Sequence, residues 1–181
     1  MNAEPDYTRT AIALHWLLAV LIFGGFGLGL YMHDLPFSPQ KLKLYSWHKW
    51  IGVSVFLLVL IRGIWRITHR PPPLPPGMPA WQRRAAHISH GGLYLLMFVI
   101  PLSGWLMSSA SGFKVVYFGV IPLPDLLDKN KAVAEVLVEV HEFLAFTLVA
   151  LVVVHAAAAI KHQFIDHDGT LMRMFRVGRG G

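Results

Sequence analysis

Residues 140–160 read VHEFLAFTLVALVVVHAAAAI, an apolar stretch interrupted by His141, Glu142 and His155. The stretch is long enough to cross a bilayer, because a membrane-spanning helix needs about 20 mostly apolar residues. Ionisable side chains inside such a helix are energetically costly, so they usually mark a function and need a partner. This stretch therefore predicts a transmembrane helix whose two histidines belong to a functional site.

Three further apolar runs have the same character, and the overall composition agrees. Of the 181 residues, 55% are hydrophobic and 14% are charged, whereas an average soluble domain has about 25% charged residues. We predict four membrane spans, at approximately residues 11–32, 46–67, 86–110 and 131–162. The predicted fold class is all-α, an integral membrane four-helix bundle that forms a single domain over residues 1–181, since four spans leave no room for another domain.

The two longest connections between these spans differ in character. Residues 71–76 read PPPLPP, which predicts a stiff extended connector. Residues 111–128 are rich in glycine, proline and aromatic residues, which predicts a long irregular loop at the membrane interface.

Cysteine is absent from the sequence. This excludes disulfides, thiolate metal sites, cysteine-ligated iron–sulfur clusters and the covalent attachment of c-type haem. Any metal cofactor must therefore be held by histidine or by oxygen ligands. The formal charge of +6 comes mainly from residues in the connections between apolar runs, so membrane lipid headgroups are the expected anionic partner and nucleic acid is not.

Lysine and arginine are unevenly divided between the two sides of the predicted bundle. The side with both termini carries ten: Arg9, Arg62, Arg66, Arg70, Arg83, Arg84, Lys161, Arg173, Arg176 and Arg179. The other side carries six: Lys41, Lys43, Lys49, Lys114, Lys129 and Lys131. Because cytoplasmic segments of membrane proteins are enriched in these residues, both termini are predicted to lie in the cytoplasm.

Two pairs of histidines are predicted to face each other inside the bundle. His141 and His155 are 14 residues apart, so they lie on nearly the same face of one helix and about 21 Å apart along its axis. Successive spans run in opposite directions, which places His15 of the first span at the depth of His155. The same argument places His48 of the second span at the depth of His141.

A facing pair of imidazoles in a helix bundle is the ligand set of six-coordinate haem iron. Zinc prefers four ligands, and such two-histidine sites would leave it incomplete. We therefore predict two b-type haems, one between His15 and His155 on the cytoplasmic side and one between His48 and His141 on the outer side. Small residues that admit a flat macrocycle are present, although ordinary helix packing uses them too. They are Gly24, Gly25, Gly27, Gly29, Gly52, Gly91 and Gly92.

Two arginines are in register with His48 on the second span. Arg62 follows His48 by 14 residues and Arg66 follows it by 18, close to four and five helical turns. Both are predicted to lie at the depth of the cytoplasmic haem, where a guanidinium group can pair with a propionate. The alternative is that these side chains extend to lipid headgroups, and it stays open for Arg66 in particular.

Three histidines, His87, His90 and His162, are predicted to cluster at the cytoplasmic ends of the third and fourth spans. Quinone reduction takes up two protons with its two electrons, and imidazole titrates near physiological pH. His90 or His162 is therefore a candidate for binding a quinone carbonyl and passing protons. The alternative, a histidine that caps a helix end at the interface, fits His87 better than His90.

Several short motifs resemble, in order and spacing, those of the bacterial cytochrome b561 proteins, a family that includes a membrane-bound superoxide oxidase. The resemblance covers nearly the whole chain. The matching residues are IALHW at 12–16, His48 with Gly52, AHISH at 86–90, His141 with Glu142, HAAAA at 155–159 with His162, and DGTLMRM at 168–174.

The resemblance implies an inner-membrane protein with the same two haem-ligand pairs, His15 with His155 and His48 with His141. It also implies an activity, in which electrons pass from superoxide at the periplasmic face through two haems to ubiquinone, with no partner protein required.

The lysines of the outer side are candidates for attracting the superoxide anion, Lys49 and Lys114 in particular. Acidic residues on the same side equal the outer lysines in number. The attraction therefore requires these lysines to cluster away from the acids.

Two other functions stay open. The chain also resembles the b-type membrane subunits of formate dehydrogenase and hydrogenase, which predicts an electron-transfer subunit that co-purifies with a large partner. A third hypothesis is a haem-free transporter or scaffold whose histidines bind transition metals. An absorption spectrum of the reduced protein distinguishes this last hypothesis from the other two.

Overall fold

Four long helices account for most of residues 7–75 and 77–175, which are the residues that a computed structural model describes. They are α1 (Arg9–His33), α2 (Pro39–Thr68), α3 (Ala80–Ala110) and α4 (Lys131–Phe164). All four are long and apolar enough to cross a membrane. The predicted all-α membrane bundle is confirmed. Pro76 of the connector, Arg176 and Arg179 of the orientation argument, and the chain ends lie outside the described residues.

Two of the helices begin earlier than the predicted spans. Helix α2 begins at Pro39 rather than near residue 46, because the Ser38 hydroxyl accepts a hydrogen bond from the Lys41 amide at 3.2 Å and caps the helix. Helix α3 begins at Ala80 rather than near residue 86. The apolar run marks only the part of a helix inside the membrane, whereas capping residues decide where the helix starts.

Helices that follow one another in the sequence pack closely, α1 on α2, α2 on α3 and α3 on α4. A buried cluster at the centre of the bundle is formed by Leu18, Val55, Val59, Leu93, Met97 and Leu148. Among the described residues of α4, only Ala134 and Leu148 are buried. Helix α4 contacts α1 and α2 through aromatic rings, with His155 beside His15 and His141 beside His48.

The outer connection between α3 and α4 is more regular than predicted. It contains a short antiparallel hairpin, with Val116 opposite Pro122 and Tyr117 opposite Ile121. We name its strands β1 (Val116–Tyr117) and β2 (Ile121–Pro122). The turn between them passes through Gly119 at a φ of 73°, a conformation that glycine adopts without steric cost. The prediction of an irregular loop was wrong here, because strands of two residues are too short to show an alternating pattern.

Side chains of α2 hold this hairpin in place. The Trp50 indole donates a hydrogen bond to the Val116 carbonyl at 2.7 Å, and the Ser54 and Tyr117 hydroxyls are 2.9 Å apart. The outer connection is thereby fastened to the helix that carries His48.

A C-terminal strap, residues 165–175, closes the opposite end of the bundle. It includes a short 3-10 helix, Met172–Met174, whose Met174 carbonyl accepts a hydrogen bond from the Trp16 indole at 2.9 Å. The Arg173 guanidinium donates to the Pro73 carbonyl at 3.0 Å. The strap thus joins the end of α4 to α1 and to the proline-rich connector.

Candidate functional site

Four of the ten histidines meet as two pairs across the bundle. The ring centroids of His15 on α1 and His155 on α4 are 6.3 Å apart. Those of His48 on α2 and His141 on α4 are 6.1 Å apart. A metal–imidazole bond is about 2.0–2.1 Å long and the bonding nitrogen lies roughly 1 Å from its ring centroid, so two imidazoles on opposite sides of one metal have centroids about 6 Å apart. Both pairs have this spacing.

The cavity beside the outer pair is apolar, and all four helices line it. Its lining includes Gly25, Gly52 and Pro101 as well as the two histidines. A Cβ atom built on Gly29 would lie 3.3 Å from Cε1 of His48. These features fit a flat, largely apolar cofactor held between the helices, and they fit a hydrated ion poorly.

The Nδ1 side of the His141 ring packs against one turn of α3. Its Nδ1 lies 3.1 Å from the Ile100 carbonyl and 2.9 Å from the Ser103 hydroxyl, which itself donates to the same carbonyl at 2.8 Å. A Cβ atom on Gly104 would lie only 3.1 Å from the ring. With the proton held on Nδ1, the lone pair on Nε2 is free to bind a metal.

Sequence analysis missed Ser103 and Gly104. The available signal was a hydroxyl beside a glycine, two residues after Pro101, within an otherwise apolar span. Nothing local in that signal says which side chain of another helix lies opposite.

The outer partner, His48, has a different environment. Its Nδ1 atom is buried and has no hydrogen-bond partner among the described residues. The two rings of the outer pair thus differ at Nδ1, since that atom of His141 has two polar contacts and that atom of His48 has none among the described residues.

The pair formed by His15 and His155, called the inner pair because that side is predicted to be cytoplasmic, lies beside a cluster of positive charge. One nitrogen of the Arg62 guanidinium donates to the Ala11 carbonyl at 2.6 Å, and another lies 3.5 Å from Nδ1 of His15. Arg66 lies with its guanidinium 5.9 Å from the centre of the Tyr94 ring. Both arginines line one cavity at this end of the bundle. Pairing with propionates stays a prediction for both.

Tyr7 also lines this cavity. Burial raises the pKa of its hydroxyl, and the nearby guanidinium groups of Arg66 and Arg62 partly oppose that rise. The phenol is therefore neutral at physiological pH and does not offset the arginine charges.

The two candidate quinone histidines occupy different positions. The His90 ring lies 5.3 Å from the ring of His155, beside the inner pair. His162 lies under the C-terminal strap, where its Nδ1 is 2.7 Å from Asp168 and 3.0 Å from Asp166. Burial alone would raise the pKa of Asp168, but hydrogen bonds from Thr170 and His162 outweigh it, so this pKa lies below its ordinary value. His162 therefore faces a charged carboxylate at neutral pH.

Only some of the lysines predicted to lie on the outer side come close together. The Lys49 ammonium donates to the Phe113 carbonyl at 3.3 Å, which brings it to the loop that carries the exposed Lys114. Neither lysine forms an ion pair with any described carboxylate. By contrast, Lys131 lies 3.7 Å from Glu135. Lys49 and Lys114 thus form a small positive patch that makes no ion pair with the described carboxylates.

Comparison with known proteins assigns the family. Residues 6–177 match the family described as prokaryotic cytochrome b561. The chain belongs to this family. It is 39% identical over 175 residues to "Cytochrome b561 homolog 2" of Escherichia coli strain K12. These residues are 96% of this chain and 93% of the relative.

Two further relatives also match over nearly their whole length. "Cytochrome b561 homolog 1" of the same organism is 28% identical over 169 residues, 93% of this chain and 96% of the relative. "Probable superoxide oxidase CybB" of Yersinia pestis is 27% identical over 181 residues, 98% of this chain and 99% of the relative. The protein is therefore a multi-pass membrane protein that transfers electrons, and its family binds b-type haem. Family membership argues against the hypothesis of a haem-free transporter.

Proposed function

We propose that this cytochrome b561 holds two b-type haems and passes electrons from periplasmic superoxide to ubiquinone. The observation that carries the proposal is the spacing of the two histidine pairs, 6.3 and 6.1 Å between ring centroids. Each distance suits a single metal between two imidazoles. The two pairs are joined by α4 and separated along it by about 21 Å, so together they span much of the hydrocarbon layer.

In this proposal, bound haem supplies a one-electron carrier at each histidine pair. His48 and His141 are the outer ligands, and His15 and His155 are the inner ligands. Arg62 remains the candidate for the propionates of the inner site, since its guanidinium already lies beside His15.

The inner end must bind quinone and provide protons. His162 is the first candidate. Asp168 accepts a hydrogen bond from its Nδ1, which leaves Nε2 to donate a proton to the quinone when both ring nitrogens are protonated. His90 lies closer to the inner pair and is the second candidate. Two superoxide anions each lose one electron and leave as dioxygen, while one ubiquinone takes up both electrons and two protons to become ubiquinol.

The outer end must attract superoxide, and the patch formed by Lys49 and Lys114 is the proposed attractor. Both termini are proposed to be cytoplasmic, which places this patch in the periplasm. Attraction between a patch and a small anion weakens as salt is added, because the Debye length falls from ~30 Å at 0.01 M to ~10 Å at 0.1 M.

Stopped-flow reduction of the haems by superoxide tests this step. We expect rapid reduction that slows with salt, and the variants Lys49→Glu and Lys114→Glu should each slow it by up to roughly tenfold at low salt. Lys131→Glu makes the same change in net charge beside Glu135 and is the matched control, with a much smaller effect. Right-side-out vesicles should react with superoxide generated outside, whereas inverted vesicles should not.

If superoxide leaves the haems oxidised while ubiquinol readily reduces them, the superoxide assignment fails. The protein is then a quinol-linked cytochrome that serves a partner.

A second prediction concerns the cradle of the outer pair. Gly104→Ala places a methyl group 3.1 Å from the His141 ring, so the ring must shift by a few tenths of an ångström and the outer haem should be held less firmly. Gly63→Ala is the control, because a Cβ atom there meets nothing within 4 Å and Gly63 is not among the glycines predicted to admit the macrocycle. The measurement is haem retained per chain during detergent purification. Equal retention in both variants contradicts the proposed position of the outer haem.

A further inference from the structure

The two histidine pairs have surroundings of opposite electrical character. At the outer pair, Nδ1 of His141 faces two hydrogen-bond acceptors, the Ile100 carbonyl at 3.1 Å and the Ser103 hydroxyl at 2.9 Å. No charged side chain of the described residues lines the cavity beside this pair. Ser103 is only 5% exposed, so water does not compete for these contacts.

At the inner pair, a cation lies beside one of the two imidazoles. The Arg62 guanidinium lies 3.5 Å from Nδ1 of His15 and is held there by its hydrogen bond to the Ala11 carbonyl at 2.6 Å. An imidazole that binds metal through Nε2 carries its proton on Nδ1, so Arg62 cannot donate to it and acts through its charge. Arg66 and Arg70 line the adjoining cavity and add to the positive field.

We infer that Ser103 and the Ile100 carbonyl, acting on His141, keep the outer site at a lower reduction potential than the inner site beside Arg62. Electrons then run energetically downhill from the outer to the inner pair of histidines. The inference rests on the proposed function, because it needs a haem at each pair. It concerns which way electrons run between the pairs, whatever the outer donor is.

The direction of each effect follows from the charge that changes on reduction. An acceptor that draws the Nδ1 proton makes the imidazole a stronger electron donor, which stabilises ferric over ferrous iron and lowers the potential. A guanidinium group near the other site favours the state that has gained an electron, which raises the potential. Both effects therefore increase the difference in reduction potential between the two sites.

Ser103 is a positioning residue in this scheme, since it acts through His141. It accepts the proton of Nδ1 and donates to the Ile100 carbonyl, so it fixes both the ring and the carbonyl. Ser109 offers a matched comparison on the same helix. It is also a buried serine, but its hydroxyl binds the Trp105 carbonyl and the Leu126 amide instead.

The experiment is a potentiometric titration of the purified holoprotein, followed by the haem absorption bands. Wild type should titrate in two steps. In Ser103→Ala the lower step should move upward and the upper step should stay in place. Ser103→Thr keeps the hydroxyl and should remain near wild type, and Ser109→Ala should change neither step. Arg62→Gln should move the upper step downward.

A variant with a single haem identifies the steps without relying on Ser103. His15→Ala should retain only the outer haem, and its one step should fall at the lower of the two wild-type midpoints. A step at the upper midpoint overturns the inference, as does an equal shift in Ser103→Ala and Ser103→Thr. A wild-type protein that binds no haem overturns the proposed function instead, so the two failures are distinguishable.

Discussion

Replacement of His155 by alanine is expected to lower the haem content from two per chain to one. His155 is the proposed ligand of the inner haem only, because about 21 Å of helix separates it from His141. Alanine continues the existing run of alanines at 156–159 and favours helix, so α4 should still insert. The measurement is the ratio of haem to protein in purified, membrane-inserted material.

His141→Ala should give the same ratio by loss of the outer haem, and the double variant should bind none. His33→Ala is the control, since that imidazole is exposed and pairs with the neighbouring Asp34 rather than with another histidine. If either single variant still carries two haems, the proposed ligand pairs are incorrect.

Replacement of His162 by alanine should slow the oxidation of pre-reduced haem by a short-chain ubiquinone by about 10²-fold, the usual contribution of a positioned proton donor. Haem content should not change, because His162 belongs to neither pair. Asp168→Asn should give a smaller loss, since the amide no longer attracts the Nδ1 proton as strongly as the carboxylate that lies 2.7 Å away.

His167→Asn is the matched control for this experiment. His167 is an exposed histidine of the same strap and adopts a φ of 52°, a conformation that asparagine tolerates better than most residues. It should leave quinone oxidation unchanged. Oxidation at the wild-type rate in His162→Ala would remove this residue from the quinone site and leave His90 as the candidate.

The bundle was predictable because each span carries its own apolar run. Which histidines meet was predictable because helical rise converts the 14 residues between His141 and His155 into a depth. The geometry places His15 and His48 opposite them at the expected depths. Their roles as ligands remain proposals.

What escaped prediction depends on contacts between distant parts of the chain. The hairpin is stabilised by Trp50 and Ser54 of another helix, and its two-residue strands carry no pattern of their own. The role of Ser103 depends on the register between α3 and α4, which no local feature of either helix encodes. The start of α2 cannot be read from the predicted span, since Ser38 lies outside the apolar run that marks it.

Both histidine pairs depend on α4, and α4 is the last of the four described helices to leave the ribosome. Until it inserts, His15 and His48 have no imidazole opposite them. In the proposed function, haem binding at either pair therefore follows completion of the bundle rather than accompanying synthesis of the first three helices. A chain that stops before Lys131 would keep three membrane spans and lose both pairs at once, so insertion of the final helix is the step that completes both proposed ligand pairs.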